Sequence, residues 1–162
     1  MNKIFVSAFF IGFLPFAPGT FGSLLGVLLG FLVQTVSGFP IFMSLTILLF
    51  FTGWYASKKY IAKNSVKHKI DDPQEIVIDE IVGQLISYSP ISFYIWVSKS
   101  DYFYSNFYDW LIAFALFRLF DIFKPWPINL ADKIPSALGV MLDDVIAGLY
   151  SATIICILLN IN

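Results

Sequence analysis

"FGSLLGVLLGFLVQTVSGFPIFMSLTILLFFTGWYAS", residues 21–57, decides the architecture. It holds no charged side chain, and neither does the run from residue 4 that leads into it. Each apolar half approaches the ~20 residues a helix needs to cross a bilayer's hydrocarbon core. Gly38 and Pro40 stand between the halves, and such a pair punctuates a helix. The stretch therefore reads as a hairpin of two helices, 21–36 and 41–57. Residues 4–14 are apolar but too short to span, and are expected to form a short N-terminal helix in the interface or to re-enter. No small-x-small cleavage site closes this opening run, so it is expected to be retained.

The rest of the chain agrees with a membrane setting. Of its 162 residues, 58% are hydrophobic and 13% charged, and the mean hydropathy is +0.78, values outside the range of soluble domains. Further candidate spans are 74–97, interrupted near Pro90, then 107–123 and 137–159. The expected class is all-α: a multi-pass membrane helical bundle of four to five spanning helices plus the short N-terminal helix, in a single domain over residues 1–162. A formal net charge of −1 gives no field to recruit nucleic acid, so no nucleic-acid partner is expected. The single cysteine, Cys156, excludes an intrachain disulfide and is expected to be a packing residue.

Lysine placement orients the bundle. Lys58, Lys59, Lys63, Lys67 and Lys69 all fall between the second and third spans, which puts that loop on the cytoplasmic side. Such a loop also draws anionic membrane lipids toward the protein surface. The aromatic segment "KSDYFYSNFYDW", residues 99–110, then lies on the opposite side, where tyrosine and tryptophan rings suit the interface. With this alternation, the two acidic pairs, Arg118 and Asp121 all fall near the cytoplasmic face. At 1.5 Å per residue, Asp79 and Glu80 lie roughly 10 Å along their helix from Asp72. Asp143 and Asp144 lie about 10 Å beyond Pro135, and Arg118 about 9 Å short of Lys124. Three helices thus bring acids and the chain's one arginine to one layer.

Carboxylates within a membrane are costly and usually functional. Two adjacent acidic pairs, Asp79–Glu80 and Asp143–Asp144, repel one another unless a proton or cation intervenes. An all-oxygen donor set favours Mg²⁺ or a similar hard cation, and no His/Cys pattern offers a zinc site. Neighbours on a helix point about 100° apart, so one member of each pair is expected to ligate while the other makes an outer contact. Arg118, three residues from Asp121 on one helical face, suits a phosphate, and so does Lys124. Gly19, Thr20, Gly22 and Ser23 form a small-residue turn that opens a helix on the same side, a second candidate anion site. Two plainer readings stand beside these: an Arg118–Asp121 ion pair without a ligand, and simple capping by Thr20 or Ser23. A small transporter or proton-coupled carrier is the alternative function, since buried Asp, Glu and Arg also build ion pathways.

Four segments, "APGTFGS", "DDPQEIVIDEIVGQ", "FRLFDIFKPWPI" and "GVMLDDVIAG", resemble in order and spacing the motifs of the phosphatidylglycerophosphatase A family, over residues 15–150. The resemblance implies a Mg²⁺-dependent lipid phosphatase of the bacterial inner membrane, its site facing the cytoplasm. Its phospholipid substrate would be phosphatidylglycerophosphate and its product phosphatidylglycerol. The family's motif acids fall on Asp79, Glu80, Asp121, Asp143 and Asp144, with Asp79, Glu80, Asp143 and Asp144 as the metal-holding set. Its basic positions fall on Arg118 and Lys124.

Overall fold

The structure, a computed structural model, describes residues 2–64, 75–98 and 106–161. Lys67, His68, Lys69, Asp72 and the 99–105 portion of the aromatic segment lie outside them. Every regular element among the described residues is helical: α1 (Asn2–Val6), α2 (Pro18–Asn64), α3 (Ile78–Ser98), α4 (Asn106–Phe123), α5 (Ile128–Asp132) and α6 (Ala137–Ile161). A single 3₁₀ turn, Ile11–Phe13, joins α1 to α2.

The hairpin is present inside α2. Gly38 takes φ 71° and ψ −178°, so the helix folds back into two arms there. A positive φ is cheap only for glycine. The arms run in opposite directions along α3. In the first, Gly22 meets Val77, Gly26 meets Gln84 and Gly30 meets Leu85; in the second, Phe42 packs on Tyr88 while Gly53 reaches Ile78. Lys58, Lys59 and Lys63 ride on the last turns of the second arm.

Pro90 does not break α3, contrary to the sequence reading. A proline in a helix lacks the N–H that would bond the carbonyl four residues back. Here the Ser89 hydroxyl donates to that carbonyl, on Ile86, at 2.7 Å, so the helix continues to Ser98. Cys156 also departs from expectation, being exposed on the outer face of α6.

The helix α3 is the axis of the bundle. Its Gly83 lies so close to α6 that an added Cβ would stand 2.7 Å from the Asp144 carbonyl oxygen and 2.5 Å from the Phe117 ring of α4. On the α6 side, a Cβ at Gly148 would fall on the Gly83 carbonyl. Backbones meet this closely only where both helices present small residues. One turn further, the Ser87 and Ser151 hydroxyls pair at 2.5 Å, with Ser87 also donating to the Ala113 carbonyl of α4. Beyond them Ser92 donates to the Gln34 side chain. Ser87 and Ser92, buried on α3, are thus matched across helices, as a low-dielectric interior favours.

Among the described residues two helices, Pro18–Lys63 and Ala137–Leu159, are long and apolar enough to cross a membrane. Their outward faces carry bare apolar side chains such as Leu28, Val36, Leu48 and Ile157, suited to lipid contact. The N-terminal segment does not continue outward. Ala8, Phe9 and Phe10 take φ of 45°, 57° and 74° and turn the chain back. The Val77 N–H then bonds the Val6 carbonyl at 2.9 Å, docking this segment beside the start of α3.

Gly148→Val should lower the thermal unfolding midpoint in detergent by roughly 5 °C, the scale of a 1–3 kcal/mol overpacking penalty. Leu28→Ala, on an exposed face, should leave it nearly unchanged. Equal midpoints for the two variants would contradict the α3–α6 backbone contact.

Candidate active site

At the end of the bundle where the N-terminal segment docks, a cavity of about 590 Å³ opens. Asp79, Glu80, Arg118, Asp121, Lys124, Asp143 and Asp144 all line it, drawn from α3, α4, the α4–α5 turn and α6. The common depth inferred from helix rise is therefore the depth found.

Asp79 and Glu80 occupy the first turn of α3, where the helix dipole favours negative charge. Asp79 Oδ1 also accepts the Glu80 backbone N–H at 3.1 Å. This compensates one carboxylate at most. Asp144 arrives from α6 because Gly83 and Gly148 let the two backbones close up, and one oxygen from each of Asp79, Glu80 and Asp144 lies within 4.8 Å of the others. Asp79 and Asp144 are 7% and 3% exposed. Glu80 Oε2 is buried without a hydrogen-bond partner among the described residues. Three carboxylates so placed repel strongly unless protons or a cation intervene. An all-oxygen triad with an unsatisfied acceptor matches the donor chemistry of a hard divalent ion.

The two acidic pairs behave differently. Asp79 and Glu80 both join the triad from the first turn of α3, contrary to the expectation that one member of each pair would make only an outer contact. Asp143 instead accepts a bond from Lys124 Nζ at 2.8 Å, and Lys124 also bridges to Asp132. Burial works against the Lys124 charge, but the Asp132 and Asp143 carboxylates outweigh it and hold the ammonium above the usual lysine range. Lys124 is placed by the sequence around it: it leaves α4 with φ 41°, just before Pro125. A proline disfavours helical geometry in the residue before it.

Arg118 Nη1 pairs with Asp121 three residues along α4 and reaches Ser23 Oγ on α2 at 3.4 Å. Its Nε has no partner among the described residues, leaving part of the guanidinium edge available for an anion. The small-residue turn contributes space more than donors. A Cβ on Gly19 would collide with Glu80 Oε1 and stand 3.2 Å from Arg118 Nη1. The Thr20 and Phe21 N–H groups already bond the Ala17 carbonyl. Ser23 supports Arg118, while Gly22 packs on Val77, so of the four turn residues only Gly19 lines the cavity.

Three features escaped the sequence reading. Asp132, the second partner of Lys124, sits in the unforeseen helix α5. The segment from Gly12 to Pro18 forms one wall of the cavity. Glu75, inside the quoted second motif but assigned no role, lines the cavity as well.

An all-oxygen cluster that could hold a cation, flanked by an arginine and a lysine in a helical fold with membrane-length helices, fits a phosphate-handling enzyme of membrane type. Comparison with known proteins makes this specific. The family model described as "Phosphatidylglycerophosphatase A" matches residues 4–159. The phosphatidylglycerophosphatase A of Haemophilus influenzae is 38% identical over 141 residues, covering 86% of this chain and 77% of that protein. The Escherichia coli protein of the same name is 31% identical over 146 residues, covering 89% and 75%. A Bacteroides thetaiotaomicron protein described as a candidate phosphatidylinositol-3-phosphatase is 35% identical over 152 residues, covering 90% and 86%. No solved structure matches the chain. This chain belongs to the phosphatidylglycerophosphatase A family, and is a phosphoric monoester hydrolase of lipid metabolism.

Arg118→Lys should cut phosphatase turnover by about tenfold or more while the protein stays folded, because an ammonium replaces the fork that spans Asp121, Ser23 and an incoming anion. Unaltered turnover in that variant would show that the guanidinium serves only the local ion pair.

Proposed function

We propose that the protein removes the terminal phosphate of phosphatidylglycerophosphate, giving phosphatidylglycerol and inorganic phosphate, with Mg²⁺ held by Asp79, Glu80 and Asp144. The observation that carries this reading is the buried triad with its unpaired Glu80 oxygen beside Arg118, in a chain of this family. Phosphatidylglycerophosphate is chosen over a phosphoinositide because the family model and two of the three relatives carry that name.

When bound, the ion would neutralise the phosphomonoester and lower the pKa of an adjacent water. The remaining work falls to side chains. Arg118 and Lys124 bind the non-bridging phosphate oxygens and stabilise the charge that spreads over them in transfer. Asp121, oriented by Arg118, accepts a proton from the attacking water. The water oxygen bonds to phosphorus as the bond to the glycerol oxygen breaks. That oxygen takes up a proton and leaves as the hydroxyl of phosphatidylglycerol. Asp143 and Asp132 hold Lys124 at the cavity wall.

In this reading the two arms of α2, together with α3, α4 and α6, cross the bacterial inner membrane. The cavity faces the cytoplasm beside Lys58, Lys59 and Lys63, following the positive-inside rule. A headgroup reaches the cavity at interfacial depth while its acyl chains stay in the bilayer.

Purified protein in detergent should release phosphate from phosphatidylglycerophosphate with Mg²⁺, lose this activity in excess EDTA and regain it with added Mg²⁺. Asp144→Asn and Glu80→Gln should each lower turnover by about 10²-fold or more, the scale of losing one preorganised charge-stabilising group. Phosphate release indifferent to EDTA, or near-normal turnover in both variants, would overturn the reading.

A further inference from the structure

Glu75 stands in the wall of the catalytic cavity, yet nothing in the reaction as derived uses it. It lies in the short non-helical segment that leads into α3. Two contacts fix it. Gly12 presses against its backbone so closely that a Cβ there would fall on the Glu75 carbonyl oxygen. The Tyr60 hydroxyl, from the second arm of α2, donates to Oε2. Among the described residues no lysine or arginine pairs with this carboxylate. Glu75 is an acceptor held in place by Tyr60.

Glu75 stands apart from the clustered acids: the triad whose oxygens lie within 4.8 Å of one another is Asp79, Glu80 and Asp144, without Glu75. It precedes Asp79 by four positions, a backbone reach of at most roughly 13 Å at ~3.3 Å per residue. That reach suits a group a few bonds along the substrate from the phosphate. In phosphatidylglycerophosphate the carbon next to the phosphorylated one carries a free hydroxyl, a donor that needs an acceptor when the headgroup leaves water.

We infer that Glu75, oriented by Tyr60, accepts a hydrogen bond from the glycerol hydroxyl adjacent to the scissile phosphate and so selects lipid phosphomonoesters that carry a neighbouring hydroxyl. The inference rests on the phosphatase reading above and names the part of the substrate that the cation triad and Arg118 leave unread. A carboxylate suits this role because a charged acceptor strengthens the bond and loses more when the donor is missing. Glu75 binds substrate, whereas Tyr60 acts through Glu75 as a positioning residue.

The test compares phosphatidylglycerophosphate with the same lipid in which that hydroxyl is replaced by hydrogen, in mixed micelles with Mg²⁺. Wild-type kcat/KM should favour the hydroxylated lipid by about 10–100-fold, the scale set by a hydrogen bond to a charged group. Glu75→Ala should bring the ratio near unity through a much larger loss of turnover on the hydroxylated lipid than on the deoxy lipid. Glu75→Gln, which keeps an acceptor and the shape of the site, should retain part of the preference. Tyr60→Phe should lower the ratio in the same direction and by less. Equal losses on both lipids in Glu75→Ala and Glu75→Gln would assign Glu75 a structural or ion-holding role. An unchanged ratio in the variants, or a wild type that does not discriminate, would likewise overturn the inference while leaving the phosphatase reading intact. Hydrolysis of neither lipid by folded wild-type protein would overturn the phosphatase reading and the inference with it.

Discussion

Crowding of Asp79, Glu80 and Asp144 in a buried pocket is the constraint on which the rest of the structure depends. A carboxylate moved out of water without compensation costs several kcal/mol. Three together are tolerable only if protons or a cation offset the crowded charge. The close contact of Gly83 with Gly148 follows from this need: it draws α6 against α3, and Asp144 comes within reach of the α3 acids. Phe117, from α4, closes the same contact and brings Arg118 and Asp121 to the cavity. Packing and chemistry are the same arrangement seen at two levels, since a side chain added at either glycine would push the acids apart.

Much of this was legible because the signals were strong and local. A charge-free run of more than 50 residues broken by Gly38 and Pro40 admits few structures besides an apolar helical hairpin, and the arms reverse where the glycine stands. Acids on three helices were placed at one depth by helix rise alone, and one cavity contains them all. What stayed hidden depended on cooperation between distant or neighbouring groups. Pro90 reads as a break, yet Ser89 satisfies the carbonyl it leaves open. Which acid of each pair joins the triad depends on where α3 begins and on the pull of Lys124 on Asp143, neither visible from residue spacing. The small-residue turn resembles an anion cradle, but the Thr20 and Phe21 N–H groups are engaged with Ala17 and its value lies in the space Gly19 leaves.

The N-terminal segment gains a role that its length alone did not suggest. Left-handed residues at Ala8, Phe9 and Phe10 turn it back, and the Val6–Val77 bond anchors it beside α3. There it shapes one wall of the cavity and presses on Glu75. A single enclosure thereby combines three clustered carboxylates that could hold a cation, two basic side chains and the Glu75 carboxylate.

Direct titration of Mn²⁺ into the detergent-solubilised protein, followed by electron paramagnetic resonance, tests the central claim with no reliance on turnover. The account predicts saturable binding of Mn²⁺, competed by Mg²⁺ and lost in Asp144→Asn while the variant keeps its fold. Binding that is absent, or equally strong in the folded variant, would contradict the claim that the buried triad is built around a divalent cation.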